Sequence, residues 1–545
     1  MHFEISDTVI ERLREAIISW RTEESDEWFQ THHDELISVG SDQRNAAALV
    51  GYLAQWLDGH KGALSIVKHL IASFPLQTLA GLPVRDYIYL KLAEGLVAVA
   101  ERADDAAITH LDVVTSLGER GLAQDGLAEE LLALAYYGKG RSLWRQGKCH
   151  AALANTMKGR ELATRLGYQR MAAVIGVLES RLYIEQNKLR QAAALLEGAE
   201  KALQQTHDTL TIARIHQEKA MIALREGRYD QGLSLCGKAV LLFRERDPFR
   251  TELGRALVTT AHAKEMIARH LATRIDADVA EHRAAGTNDA PNAPSTKPFR
   301  RRLEQLRAEA FLALRQAEEI CQGREETWLA MVRIIRGFLF VDTGELEAAE
   351  IEAAEGYNLG AEGSNNVLMS RARILQSIIE MTKYEELIEE RDDLTLHILR
   401  AQDYAKDSLA LAKRTEDFRL VARAYLCMGL TLCSDQLSDL DAARDCCERA
   451  GEYIIPELRD NVWEDYQRLK AKLLRSGRVD VRFQAWSQGE TNGKTFQQIT
   501  EEFTDMIIPK VWEKEDRKIS RVAKSLSISP KKVRRVLKKM GLQGE

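Results

Sequence analysis

Residues 140–152 read GRSLWRQGKCHAA, and the same spacing returns in residues 180–192, SRLYIEQNKLRQA, and residues 220–232, AMIALREGRYDQG. Each stretch has a small residue, a contact residue three positions later, a helix-ending residue seven positions later and a small residue twelve positions later. The three copies are spaced 40 residues apart. Antiparallel helices approach closely only where facing side chains are small, and glycine or asparagine readily adopts the left-handed conformation that ends a helix. Each copy therefore predicts a helical hairpin.

The pattern recurs elsewhere in the chain. Further copies comprise Gly51, Ala54, Asp58 and Ala63, then Gly337, Phe340, Gly344 and Ala349, and more weakly Gly95, Ala98, Arg102 and Ala107. The second helix of the copy that begins at Ser180 carries an apolar face of Leu195, Leu196, Ala199 and Leu203. A single hairpin cannot bury such a face, so the hairpins must stack. The sequence therefore predicts an all-α repeat array.

These residues resemble the tetratricopeptide repeat (TPR). The copy at Gly51, with Pro75 after its second helix, is most similar; the others run longer, like the roughly 40-residue units of some bacterial signalling regulators. The resemblance covers about residues 40–475 and implies a TPR-like right-handed α-solenoid whose concave groove binds a protein, a peptide or a small molecule. We assign residues 41–475 to the array and residues 1–40 to an N-terminal helical cap.

An insertion interrupts the array at residues 283–298, which hold three of the nine prolines among small polar residues. This composition predicts a flexible loop inside one hairpin, and a regulatory insert is the alternative to a tolerated surface loop.

Bulk composition favours a soluble protein of long helices, with 45% hydrophobic and 29% charged residues. The sequence contains no run of about 18 apolar residues, which is the length that predicts a membrane span. Acidic residues near the N-terminus argue against a signal peptide. We therefore expect a cytoplasmic protein without a membrane partner. The seven cysteines occupy apolar helical registers, which favours a role as buried thiols in the core. For the cysteines from Cys427 to Cys447, binding of a soft metal is the alternative interpretation.

The chain ends in a predicted small helical domain, residues 495–545, after a linker at 476–494 that includes a strand-like Val479–Trp486. A first helix presents Phe496, Ile499, Phe503, Met506 and Ile507 on one face, with Pro509 expected to kink or restart it. A second segment carries Ile519, Val522, Ala523 and Leu526. Ser529 and Pro530 form a strong start for the last helix, whose inward residues are Val533, Val536, Leu537 and Met540 and which ends at Gly541.

Positive charge concentrates in this domain. Residues 514–545 hold 11 Lys or Arg and 3 acidic residues, a net +8, which leaves −14 for the rest of the chain against a total of −6. Six of these cations lie on the last helix: Lys531, Lys532, Arg534, Arg535, Lys538 and Lys539. Two helices across a short turn, the second of them basic, have the geometry that places a recognition helix in the major groove of DNA. A solvated face on a dimerisation bundle is the alternative.

Residues 520–542, SRVAKSLSISPKKVRRVLKKMGL, resemble the Fis-type helix-turn-helix, and the preceding helix is similar to the dimerisation helix of that family. The resemblance implies a homodimer on double-stranded DNA. It assigns phosphate contacts to Lys518, Ser520, Arg521, Lys532, Arg534, Arg535, Lys538 and Lys539. Two departures weaken base readout: Ser529 and Pro530 replace an Asn-Arg pair, and Ser527 replaces a turn glycine. Base preference then rests on Lys531, Lys532 and DNA shape, or is slight.

Two stretches are near-misses for catalysis or metal binding. Residues 489–495, GETNGKT, are one spacer short of a P-loop, so we interpret them as a linker with Thr495 as a helix cap. Residues 32–35, HHDE, lack the spacing of a zinc motif. We find no catalytic residues, metal ligands or cofactor motif. The sequence thus predicts a non-enzymatic, DNA-binding transcriptional regulator; the alternative is a scaffold whose basic bundle binds an acidic protein or RNA.

Overall fold

The computed structural model describes residues 5–19, 31–32, 34–55, 61–74, 81–120, 127–204, 208–245, 250–284, 297–323, 325–387, 394–455, 458, 460–476, 486, 493–515, 517–540 and 542. The chain divides into two compact units, Met1–Leu469 and Lys470–Glu545. No β-strand occurs among the described residues.

The first unit is a TPR-like α-solenoid built from antiparallel helices. Its helices are α1 (Asp7–Ile18), α2 (Ala46–Ala54), α3 (Lys61–Ala72), α4 (Val84–Glu101), α5 (Asp104–Glu119), α6 (Leu127–Arg145), α7 (Cys149–Arg165), α8 (Gln169–Glu185), α9 (Leu189–Leu203), α10 (Thr209–Arg225), α11 (Tyr229–Arg244), α12 (Arg250–Ala284), α13 (Lys297–Cys321), α14 (Glu326–Thr343), α15 (Leu346–Glu362), α16 (Asn366–Leu387), α17 (Leu394–Ala412), α18 (Phe418–Leu432) and α19 (Leu440–Tyr453). Helix α20 (Asn461–Ser476) begins in this unit and continues past its last residue, Leu469. Consecutive helices pair as hairpins, and each hairpin packs on the next, so the predicted all-α array is confirmed.

Left-handed residues end the first helices of the predicted hairpins. Gly147, Gly227 and Gly344 have φ of 77°, 75° and 81°, and Asn187 has φ of 59°. Arg102 of the weaker copy also adopts this conformation, with φ of 63°. Glycine lacks the Cβ that makes this region costly, and asparagine tolerates it better than most residues, so the helix-ending positions read from the sequence are confirmed. Asp58 and Pro75 lie outside the described residues.

The predicted small residues mark where paired helices approach most closely. A Cβ on Gly140 of α6 would stand 2.6 Å from Thr156 Cγ2 of α7, and a Cβ on Gly95 of α4 would stand 2.6 Å from Leu111 Cγ and Cδ2 of α5. In α9, Leu196, Ala199 and Leu203 are buried as predicted, whereas Leu195 is only partly buried.

The proposed insertion falls between α12 and α13, which pair as a hairpin. Residues 285–296 lie outside the described residues, and the helices extend to Ala284 on one side and begin at Lys297 on the other.

The second unit contains α21 (Phe496–Lys514), α22 (Ile519–Ser525) and α23 (Pro530–Lys539). Thr495 caps α21: its Oγ1 accepts from Gln498 N at 3.4 Å, and Gln498 Oε1 accepts from Thr495 N at 2.8 Å. The predicted helix-capping role of Thr495 is therefore confirmed. A small core of Ile508, Val522, Val533, Val536 and Leu537 joins the three helices.

One local expectation for this unit, the inward position of Met540, was wrong. Helix α21 runs unbroken through Pro509, although proline supplies no backbone N–H and so leaves one hydrogen bond of the helix unmade. Phe496 is 85% exposed because it is the first residue of α21, far from the core around Ile508. Met540 is 44% exposed because α23 ends at Lys539. Within the strand-like segment, Trp486 is helical, and residues 479–485 lie outside the described residues.

Candidate functional site

The face of α23 that points away from the core of the unit is cationic. Ser529 caps this helix, since its Oγ accepts from Lys532 N at 3.2 Å, and Pro530 occupies the first turn. Ser527, in the turn between α22 and α23, has φ of 49°, the left-handed conformation expected from its position. Because Val533, Val536 and Leu537 pack inward, the basic residues between them must face outward.

The predicted contact residues lie on α22, on α23 and at the N-terminal caps of these two helices. Lys518, Ser520, Arg521, Ser529, Lys531, Arg534, Arg535 and Lys538 are exposed, and Lys532 is partly exposed. Lys539 Nζ lies 2.5 Å from Asp505 Oδ2 of α21. This hydrogen bond raises the pKa of Lys539 and ties the end of α23 to α21. Lys524, which we did not include among the contact residues, is also exposed on α22.

A second charged surface lies within the array, where helices far apart in sequence meet. Arg102 forms an ion pair with Glu325, and His150 Nδ1 lies 2.9 Å from Glu416 Oε2. Asn187 Nδ2 donates to the carbonyl of Tyr453 at 3.2 Å, across 266 residues of sequence. These contacts bring the ends of α4 and α8 and the start of α7 to the starts of α14 and α18 and the end of α19. We call the faces that meet here the inner surface.

Ion pairs cover much of the inner surface. Arg181 Nη1 lies 3.2 Å from Glu218 Oε2 of the next hairpin, and Arg181 Nε lies 3.4 Å from Glu185 Oε1. Burial alone would lower the pKa of Arg181, but these two carboxylates outweigh burial and raise it. Arg145 Nε lies 2.8 Å from Asp104 Oδ1, which joins α6 to α5. The inner surface is thus polar, and its charges link successive repeats.

A buried carboxylate lies farther along this surface. Glu265 of α12 is 2% exposed, and Arg269 Nη2 lies 2.6 Å from its Oε1. Burial raises the pKa of a carboxyl group, but Arg269 and His262 outweigh that effect and hold the pKa of Glu265 at about 2. The guanidinium groups of Arg269 and Arg423 lie 5.2 Å and 4.7 Å from the centre of the Phe338 ring.

A small cleft opens where the α8–α9 turn meets the α19–α20 segment. Arg419 and Asp460 supply its charges: Arg419 Nε lies 2.9 Å from Asp460 Oδ2. Its apolar walls come from Ile454, Ile455, Leu458, Val462 and the aromatic Trp463. Asn187 and Tyr453, which join the two segments, also line the cleft.

The seven cysteines are free and buried, in agreement with the predicted core role. Burial raises the pKa of the Cys236 and Cys427 thiols to about 11. Among the residues that the structure describes, no three His, Cys, Asp or Glu side chains cluster in a way that could hold a metal ion.

Sequence reasoning missed the inner surface, although one signal for it was present. Two positions before the helix-ending residue, successive copies carry Arg145, Glu185, Arg225 and Asp342. When successive repeats carry a charged residue at the same position of an otherwise apolar pattern, these residues are expected to lie on one polar face of the array. The partners of these charges lie up to hundreds of residues away, so the register alone does not identify them.

No helix in the described part of the chain is both long enough and apolar enough to cross a membrane. The chain matches no protein-family model, and a search of curated proteins returned no significant relative.

A search of solved structures returned matches that cover most of this chain at TM-scores below 0.5. A Rap protein complexed with Competence and Sporulation Factor is 12% identical, with a TM-score of 0.45, covering 74% of this chain and 99% of that one. The apo form of RapI is 11% identical, with a TM-score of 0.32, covering 81% and 93%. The human IFIT1 dimer with m7Gppp-AAAA is 13% identical, with a TM-score of 0.35, covering 77% and 97%.

Proposed function

We propose that this protein is a non-enzymatic helical-repeat adaptor with two binding surfaces. The array binds a segment of a partner protein, and the C-terminal unit binds double-stranded DNA through a helix-turn-helix formed by α22 and α23. In this proposal the chain acts as a transcriptional regulator, with α23 as its recognition helix.

The cationic face of α23 is the observation that carries the DNA-binding part of the proposal. Lys531, Arg534, Arg535 and Lys538 are exposed on one helix of ten residues, and Lys532 is partly exposed beside them. Like charges at this density repel one another, and an anionic partner relieves the repulsion. Duplex DNA offers phosphates along a groove wide enough for one α-helix. Side chains at the start of α23, including Ser529, then lie nearest to the bases.

We further propose that the protein binds DNA as a homodimer through α21. Phe496 is exposed on this helix, and Ile499, Met506 and Ile507 are only partly buried within the unit. A second α21 would cover these apolar side chains. A two-fold axis would then place the two copies of α23 about 34 Å apart, the spacing of successive major grooves.

We infer that the P-loop-like stretch leads into a helix cap and does not serve catalysis. Thr495 serves as the cap of α21, where its Oγ1 bonds Gln498. A P-loop threonine instead directs its hydroxyl at a bound magnesium ion, from a domain with parallel strands.

Competition for a labelled duplex tests which polyanion the C-terminal unit prefers. The full chain is bound to a fluorescent duplex of about three helical turns and titrated with unlabelled duplex DNA, single-stranded RNA or poly-glutamate of equal total charge. We expect duplex DNA to compete at least about tenfold better than either alternative. The variant R534Q/R535Q should weaken duplex binding, whereas the control R444Q, an exposed arginine on α19, should not.

Equal competition by RNA or poly-glutamate would instead support the scaffold alternative, in which the basic unit binds RNA or an acidic protein. Unchanged duplex binding by R534Q/R535Q would contradict the assignment of α23 as the recognition helix.

A further inference from the structure

A regular row of contacts joins earlier hairpins of the array to later ones. The contacts are three pairs, separated by 223, 266 and 266 residues of sequence: Arg102 with Glu325, His150 with Glu416, and Asn187 with Tyr453. The first member of each pair lies at the turn of the α4–α5, α6–α7 or α8–α9 hairpin. Its partner lies at a connection that follows α13, α17 or α19. One edge of the array thus meets the opposite edge, and we call this row of contacts the seam.

The seam consists mainly of polar contacts that water reaches. The side chains of His150 and Glu416 are 60% and 36% exposed, so solvent screens the attraction between them. The contact of Asn187 is a hydrogen bond to a backbone carbonyl. Glu325 does not depend on the seam for a counter-charge, because Arg255 Nη2 lies 2.9 Å from its Oε1. Each of these contacts is therefore weak.

The hairpins themselves are held differently. Their helices pack through fully buried apolar side chains, such as Leu111 of α5 and Leu196 of α9. Beside the seam, Leu458 adds a partly buried apolar contact to the cluster of α8 and α9, and His270 of α12 pairs with Glu464 of α20 at 2.5 Å. The apolar cores run along the array from hairpin to hairpin, so separating the seam leaves them in place.

The faces enclosed behind the seam carry charges of both signs. Arg225 of α10 is 7% exposed, and Asp417 and Asp460 of the later hairpins are 8% and 5% exposed. Burial lowers the pKa of Arg225, and the charges of Arg419, Asp417 and Asp460 act on it from the opposite face. Removing charged groups from water costs free energy even when they are paired, and that cost is recovered when water returns. Separating the two faces therefore exposes groups that water solvates well.

We propose that the seam opens reversibly and admits water and the partner segment to the inner surface. In the closed form the cleft beside Arg419 has room for little more than one water molecule, so a peptide cannot enter it. Small rotations between successive hairpins add up along a repeat array, so the edges separate without the loss of any hairpin. This inference rests on the proposed binding role of the array and adds the conformational step that precedes binding.

Double electron–electron resonance on the full chain measures the width of the seam. The variant K148C/R414C carries spin labels at two exposed positions, each two residues from the His150–Glu416 pair. The seven native cysteines are buried, which favours labelling of the two new ones. The closed seam gives a short distance between the labels, and the open array gives a second, longer distance.

Adding R102A and E416A to the labelled chain removes two of the seam pairs. The fraction of molecules with the longer distance should then rise at least about threefold. Salt at about 1 M screens the same pairs and should raise that fraction without either substitution. The matched control R444Q removes an exposed ion pair within α19 and should leave the distances unchanged. Equal helix content by circular dichroism shows that each variant is folded.

A single short distance in the wild type, in the R102A/E416A chain and in high salt would overturn reversible opening. An equal rise in R444Q would overturn the assignment of this motion to the seam, and a long distance alone in the wild type would contradict the seam itself. The measurement uses no partner. Its failure therefore refutes the opening step, whereas partner binding by the array and DNA binding by the C-terminal unit are measured separately.

Discussion

Replacing Gly140 by alanine should destabilise the array, although alanine is the better helix former. The new Cβ would stand 2.6 Å from Thr156 Cγ2 and 3.4 Å from the carbonyl oxygen of Ala152. Thr156 cannot rotate away cheaply, because it is fully buried and its Oγ1 donates to the Ala152 carbonyl at 3.0 Å. Helices α6 and α7 must therefore separate.

Overpacking of this kind costs about 1–3 kcal/mol, while alanine gains about 1 kcal/mol over glycine in helix propensity. The net effect of G140A is then a loss of up to about 2 kcal/mol. The matched control is G198A in α9, where a new Cβ meets nothing within 4 Å. This variant should be stabilised by about 0.5–1 kcal/mol through propensity alone.

Equilibrium urea unfolding followed by far-ultraviolet circular dichroism measures both variants against the wild type. The two midpoints should shift in opposite directions. If G140A raised the midpoint as much as G198A does, the close approach of α6 and α7 at Gly140 would be refuted.

Three further predictions concern charges. R419Q should lower the free energy of unfolding by about 3–5 kcal/mol, since it leaves Asp460, only 5% exposed, without its partner; a loss below about 1 kcal/mol in urea unfolding would argue against that pair. The pKa of Glu265 is about 2 in the folded protein against the usual 4.5, so its stabilising contribution is full above pH 4.5 and is lost as the pH falls toward 2; the urea midpoints of wild type and E265Q should converge over that range, and a constant difference would contradict the assignment. K538Q should reduce the salt dependence of duplex binding by about 0.9 in the log–log slope, whereas K539Q should change it less because Lys539 pairs with Asp505; equal effects in fluorescence anisotropy would show that this pair opens on DNA.

Local features of the fold could be predicted from sequence because they depend on neighbouring residues. Gly147, Asn187 and Gly227 end helices in the conformation that their residue types favour, at the predicted spacing. The start of α23 at Ser529 and Pro530 likewise follows from local capping chemistry. Pro509 shows the limit of such rules, since tertiary packing around Ile508 keeps α21 continuous through a proline.

The inner surface could not be predicted in the same way. Its residues come from helices as far apart in sequence as α4 and α19, and the contact of Asn187 with Tyr453 spans 266 residues. No local period encodes which repeats meet across the array. The cationic face of α23 was predictable because all its residues lie on one short helix, whereas the pair of Lys539 with Asp505 joins two helices and was not foreseen.

The dependence of duplex binding on salt tests the two-surface account most directly. Fluorescence anisotropy of the full chain on a labelled duplex gives the binding constant at each salt concentration. If the cationic face of α23 and its neighbours on α22 neutralise six phosphates, the logarithm of that constant should fall with the logarithm of salt with a slope of about −5. No measurable binding at about 50 mM salt, or a slope shallower than about −2, would contradict the account.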